Sequence, residues 1–245
     1  MDKQIHIGTS GWHYKHWMGN FYPAGLKPRE FNGYYIRFFS TVEINNSFYK
    51  LPTPETFAGW RQAVPDDFIF AVKASRYMTH MKKLKDPQES LSRFFGSADA
   101  LEHKLGPVLF QLPPAWKVNL ERLSDFMALL PPYYKYTFEF RHPSWYTEEV
   151  LALLRKHNAA FCIYELAHHM SPLHLTADFV YVRLHGPDGK YAGSYSEEAL
   201  QWWANQCLEW QRQGLEVYLY FDNDQLGYAA FNALRLQEIV GQRQV

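Results

Sequence analysis

Eight short β-rich runs, each followed by a longer stretch, succeed one another along 245 residues. Most of those stretches have helical spacing, and this alternation restricts the folds open to the chain. The runs are residues 4–8, 41–45, 68–75, 107–113, 136–141, 160–165, 178–186 and 216–224. Helical spacing lies between them at 28–39, 53–64, 86–106, 119–130, 147–157, 194–214 and 228–240. After the sixth run a loop with two histidines and Pro172 takes the place of a helix. Strands that alternate with helices read as parallel βα units. Eight such units in a chain of this length predict one TIM-type (β/α)8 barrel domain, residues 1–245. An open doubly wound sheet is the second choice. It usually carries a glycine-rich turn after its first strand, and "GTSGW" lacks the GxGxxG spacing.

Several boundaries carry their own chemistry. Pro28 and Pro54 suit first helical turns, with Thr53 as N-cap to the latter. Asp86 is read as a cap and Gly106 as a stop for the long fourth segment, and Ser194 and Glu197 have capping-box spacing.

Side chains alternate across a strand, and one face of each barrel strand must be apolar to meet the helices. In "FEFRH" the apolar set is Phe138 and Phe140, which turns Glu139 and Arg141 inward. The same test sends Glu43, Asn45, Lys73, Gln111, Arg183, His185 and Asp222 inward, along with His6, Tyr218 and Tyr220. In the sixth run Tyr164 and Glu165 cannot both face the axis. His142 falls out of alternation before Pro143 and reads as a turn residue. Most of the inward ionisable groups lie near the C-terminal ends of their strands, where barrel enzymes place their chemistry. A purely structural set of buried ion pairs is the bland alternative. Such pairs contribute little stability because each ion must be desolvated, so a functional site is the stronger expectation.

The motifs "GTSGWHYKHWMGNFYP", "TVEINNSFYKLP", "KASRYMTH", "KLGPVLFQLPP", "FEFRHPSW", "TADFVYVRLHG" and "FDND" occur in this order. The chain thereby resembles the domain-of-unknown-function-72 family, the YecE-like proteins, over nearly its whole length. The resemblance implies a TIM barrel and assigns no activity. Two positions depart from the pattern: Asp222 stands where the family often shows Asn, and Glu165 ends a strand that commonly ends in Asp.

Three functional readings follow. The first is an enzyme using acid/base chemistry on a small anionic (phosphate- or carboxylate-bearing) or polyhydroxylated substrate at the C-terminal mouth. Glu43, Glu139, His185 and Asp222 are its candidate catalytic groups. Asn45, Lys73, Gln111, Arg141, Arg183, Trp12 and Tyr191 are its candidate substrate contacts, with an Arg fork suited to phosphate or carboxylate. The second is a metal-dependent hydrolase or isomerase, for which no HxH or HExxH spacing speaks; no metal ligand is assigned and no cofactor is named. The third is a ligand- or nucleic-acid-binding module using the aromatic first loop, where Trp12, Tyr14, Trp17, Phe21 and Tyr22 surround Lys15 and His16. That loop reads more readily as a packed lid.

Composition narrows the partners. Lys+Arg and Asp+Glu number 25 each, so there is no global basic footprint and nucleic acid is not the favoured partner. The two cysteines are far apart and read as buried thiols. No apolar run reaches the length of a signal or membrane segment, so a soluble cytoplasmic protein is expected. The sequence leaves the oligomeric state open.

Overall fold

The computed structural model describes residues 4–243. Its strands are β1 Ile5–Ser10, β2 Thr41–Ile44, β3 Ile69–Lys73, β4 Leu105–Leu112, β5 Tyr136–Phe140, β6 Ala160–Leu166, β7 His169–Met170, β8 Phe179–Leu184 and β9 Glu216–Phe221. Eight of these form a closed parallel barrel, in which the sheet order β5-β4-β3-β2-β1-β9-β8-β6 is completed by pairing of β5 with β6. The two-residue β7 pairs antiparallel with the end of β6, Glu165 opposite Met170. It occupies the loop where the sequence offered no helix.

The helices are α1 Phe31–Tyr35, α2 Asn46–Tyr49, α3 Pro54–Gln62, α4 Gln88–Ala98, α5 Leu120–Met127, α6 Glu148–Lys156, α7 Glu197–Arg212 and α8 Tyr228–Arg243. Thr53 caps α3 as expected, its hydroxyl accepting from Thr56 N–H at 3.3 Å, with Pro54 in the first turn. Two cap expectations are corrected. The cap of α7 is Ser196, which accepts from Ala199 N–H at 3.2 Å, while the Ser194 hydroxyl accepts from Asn232. Asp86 adopts a left-handed φ of 45° and α4 starts after Pro87 without a side-chain cap. Gly106 does not end a helix either: a 3-10 stretch, Asp99–Lys104, hands over to β4 at Leu105. A methyl group on Gly106 would lie 2.5 Å from the Ile69 side chain, so close packing is what this glycine provides.

The chain divides into two compact units, Met1–Glu43, Ile163–Ser171 and Asp178–Val245 forming the first, Ile44–Cys162 and Pro172–Ala177 the second. In the first, β1 is flanked by β2 and β9 in register, Ser10 beside Glu43 and Thr9 beside Phe221. Aromatic rings from the first loop and α1 pack together, with Tyr22 stacked on Phe31 at 4.2 Å and Trp17, Phe21, Tyr35 and Phe39 buried around them. In the second, Phe110 stacks on Phe138 at 5.3 Å and Phe140 on Trp145 at 5.0 Å. Phe138 and Phe140 are fully buried, and Phe126 of α5 meets Phe138 edge-on, which puts this face of β5 against the helices as alternation required.

Candidate functional site

Most of the inward-facing ionisable residues are described by two groups, one in each unit. In the first unit Arg183, near the end of β8, is 1% exposed. Its Nε donates to Glu43 Oε2 at 2.9 Å and its Nη2 to Glu43 Oε1 at 2.8 Å, a two-pronged clasp on a fully buried carboxylate. The same Nη2 reaches Asp222 Oδ2 at 2.9 Å. Tyr181 OH donates to Glu43 Oε2 at 2.7 Å, and Ser10 Oγ donates to Glu43 Oε1. Burial first, and then the Glu43 charge, push the Tyr181 phenol well above its ordinary value, so it serves as a proton-bearing donor.

His185 completes this group and its tautomer follows from its neighbours. Arg183 Nη1 lies 2.9 Å from its Nε2, and a guanidinium can only donate. Nε2 therefore accepts. Nδ1 lies 3.0 Å from the Glu165 carbonyl oxygen and must donate. These two contacts fit the tautomer that carries its proton on Nδ1, and the Asp222 carboxylate also lies 3.5 Å from Nε2. The Arg183 fork, turned to the axis and expected to meet a phosphate or carboxylate, has its paired donors on the protein's own Glu43 carboxylate.

The ambiguity in β6 is resolved. Tyr164 meets the His185 ring edge-on at 6.3 Å, whereas Glu165 takes hydrogen bonds from Trp203 and Tyr195 on the side of α7. Burial raises the Glu165 carboxyl above its ordinary value, and those two donors pull the other way. Tyr191 lies over His185 at 5.8 Å between ring centres and is 46% exposed. It has a left-handed φ of 62°, in a loop pinned by Tyr191 N–H to the His185 carbonyl at 2.7 Å and Asn223 Nδ2 to the Gly193 carbonyl at 2.8 Å.

In the second unit Glu139, fully buried near the end of β5, pairs with Arg141 Nε. The Cys162 thiol lies 3.8 Å from the other carboxylate oxygen of Glu139. Lys73, the last residue of β3, is 8% exposed and places Nζ 4.3 Å over the Phe48 ring. His80 meets the edge of that ring at 5.1 Å and shares a 2.9 Å hydrogen bond with Thr79 Oγ1 through Nδ1. It sits on a π-helical turn, Tyr77–Met81, a feature frequent at functional sites. Burial lowers the His80 ring below its ordinary value, and the Lys73, Arg76 and Arg141 charges lower it further against the opposing pull of Glu139. Lys73, Arg76, Arg141 and Glu139 are thus the charges that act on the ring.

The depressed His80 has a consequence for stability. The unfolded chain takes up a proton at the ordinary histidine value, about 6.5, before the folded chain does. Its contribution is therefore present above that pH and is lost as pH falls through the window down to the lowered folded value. Urea midpoints measured from neutral to mildly acidic pH should fall less steeply in His80→Gln than in the parent.

The remaining candidates fall as follows. Asn45 is half-buried where α2 begins, and Gln111 is half-buried beside Glu139 in the β4–β5 register. Trp12 is 4% exposed and packs edge-on to Tyr35 at 5.6 Å, within the packed aromatic loop. His142 caps the 3-10 turn Pro143–Trp145 by accepting from Ser144 N–H at 3.1 Å, as a turn residue should. His6 stacks on Tyr218 at 4.7 Å and lies 2.9 Å from Glu216. On α7, Trp203 and Trp210 are buried and Trp202 is exposed. Both cysteines are buried, as expected. Among the described residues no three His, Cys, Asp or Glu side chains are grouped to hold a metal ion, and no helix is long and apolar enough to cross a membrane. Ser10, Tyr181 and His80 were not singled out from sequence, and Cys162 was read only as a buried thiol. Alternation marks Tyr181, two residues before Arg183, but His80 lies on a turn where period-2 reasoning has no purchase.

A closed parallel barrel with buried charged groups at the C-terminal strand ends defines the class of protein. Residues 6–245 match the model of the family described as protein of unknown function DUF72, and the chain belongs to that family. It is 30% identical over 145 residues to the UPF0759 protein YecE of Escherichia coli K12, covering 59% of this chain and 51% of that one, so the match spans about half the length of that relative. It is 26% identical over 273 residues to the UPF0759 protein YunF of Bacillus subtilis, covering 96% of this chain and 94% of that one. A crystal structure of a DUF72 family protein from Thermotoga maritima superposes with a TM-score of 0.88 at 32% identity, covering 97% and 99% of the two chains. One from Enterococcus faecalis superposes at 0.83 with 20% identity, covering 97% of this chain and 96% of that one, and extends the likeness of fold.

Proposed function

We propose that the protein is an enzyme using acid/base chemistry on a small substrate with a phosphate or carboxylate group. The observation that carries this reading is the gathering of Lys73, Arg76 and Arg141 around His80, with Lys73 over the Phe48 ring, in the second unit. Lys73, Arg76 and Arg141 are the proposed anion contacts, with Asn45 and Gln111 as nearby polar ones. A neutral imidazole at His80 suits a group that takes a proton from a substrate near neutral pH, and Glu139 is the carboxylate partner. In the first unit Glu43, His185 and Asp222 form a second proton-handling network. Arg183 there serves to position carboxylates rather than bind substrate, and Tyr191 with Trp12 supplies aromatic contact. Asp222, 6% exposed, is the member of that network best placed to meet solvent.

Inorganic phosphate tests the anion contacts. At ten times its dissociation constant it should stabilise the protein by about 1.4 kcal/mol, a rise in Tm of about 3–5 °C for a chain of this size. Lys73→Met should abolish the rise while leaving a folded protein. No rise at millimolar phosphate, or an equal rise in Lys73→Met, would overturn the assignment.

A further inference from the structure

The segment after β3 has a charge asymmetry of its own. Between Phe68 and Lys85 there are five cations (Lys73, Arg76, Lys82, Lys83 and Lys85) and no acid, in a chain whose formal net charge is zero. All but Lys73 are exposed. The backbone holds them in place. Lys82 N–H donates to the Tyr77 carbonyl at 2.9 Å, Leu84 N–H to Met78 at 2.9 Å and Lys85 N–H to Lys82 at 3.0 Å. Leu84 is 1% exposed and anchors the turn, while Lys83 and Leu84 take left-handed φ values of 48° and 62°. Residues with side chains seldom adopt that conformation. Its effect here is to bury one leucine and send the flanking lysines into solvent.

Aromatic rings lie among these charges. Tyr77 is 45% exposed, with Lys82 Nζ 5.7 Å from its ring centre. Tyr49 is 74% exposed and stands edge-on to Phe48 at 5.1 Å. Phe48 in turn stands edge-on to His80 at 5.1 Å, so rings run from α2 to the π turn.

We propose that this surface binds single-stranded nucleic acid. Arg76, Lys82, Lys83 and Lys85 take the backbone phosphates, and Tyr77 and Tyr49 stack on bases. Cations interleaved with exposed rings are what a flexible strand with open base faces requires. A duplex keeps its base faces stacked internally and offers the rings nothing. An anionic membrane calls for a broad apolar face that inserts, and the exposed side chains among these cations are two phenols and Met81. The surface shares Arg76 with the contacts proposed for a small anion; the variants that test it, at Tyr77 and at Lys82, Lys83 and Lys85, leave Arg76 and Lys73 in place, so the two readings fail separately.

Fluorescence anisotropy with labelled oligothymidylate of about fifteen nucleotides tests the proposal, starting at about 50 mM salt. Three to four phosphate contacts predict that log K falls against log salt with a slope of about −2 to −3. Tyr77→Ala should weaken binding roughly 5- to 100-fold, the range that loss of one stacked base implies. The triple variant K82E/K83E/K85E should bind no strand, yet keep the parent's melting temperature and its response to phosphate. The same sequence as a duplex, and phosphatidylserine vesicles, should bind more weakly than the single strand. Absence of salt-sensitive binding at low salt, parent-like affinity in folded Tyr77→Ala and triple variants, or preference for duplex or vesicles would overturn it.

Discussion

Replacing Arg183 with methionine is expected to destabilise the protein by about 3–5 kcal/mol, the usual result of removing one partner from a buried ion pair. The guanidinium is 1% exposed and is the shared hydrogen-bond donor to Glu43, Asp222 and His185. Methionine matches much of its length but donates nothing. Two buried carboxylates and the lone pair of His185 then lose their common partner. The cost comes from those stranded groups, which gives the account a second test. Adding Glu43→Leu and Asp222→Asn to Arg183→Met should recover much of the loss, because apolar replacement of a whole buried ion network is often close to neutral. Urea denaturation of the single and combined variants measures both, and the non-additivity gives the coupling. A single-variant loss below about 1 kcal/mol, in the range of exposed pairs, would mean that water reaches the network.

Gly186→Ala is the second large effect. Gly186 has a φ of 105°, and a methyl group there would stand 2.1 Å from the carbonyl oxygen of Ala192 and 2.9 Å from its nitrogen. Both obstacles are backbone, so no side chain can swing aside. The unfavourable φ and the overpacking together predict a loss of about 2–5 kcal/mol. The loop that must yield is the one that holds Tyr191 over His185. Urea denaturation measures the loss, and the His185 ring signals should change in the same variant. A stable protein with unaltered His185 signals would show that the loop is not held as described.

Much of this was legible in the sequence for a physical reason. Barrel strands are covered on both faces, so a charged residue in an otherwise apolar run has to face the axis, and Glu43, Glu139 and Arg183 are buried where alternation sent them. Pairing was not legible. Arg183 binds Glu43 from a strand 140 residues away, and only the barrel's register makes them neighbours. The partner of each charge therefore stayed hidden: nothing in the sequence shows that the Arg183 fork closes on Glu43. The caps show the same limit. Ser194 and Ser196 both precede an acid-rich turn, and tertiary contact with Asn232 decides which one is left to cap α7. His80 escaped because a π turn has neither strand nor helix periodicity, although its motif "KASRYMTH" was plain in the sequence.

The central claim, that the second unit binds an anion beside His80, is tested most directly by NMR titration of the His80 ring with and without inorganic phosphate, assigned by comparison with His80→Gln. Without phosphate the ring should titrate below the ordinary histidine value of about 6.5, because burial and three nearby cations disfavour its charged form. Bound phosphate supplies negative charge against those cations, so the midpoint should move upward, and Lys73→Met should remove the movement. A ring that titrates at or above the ordinary value and ignores phosphate would contradict the claim.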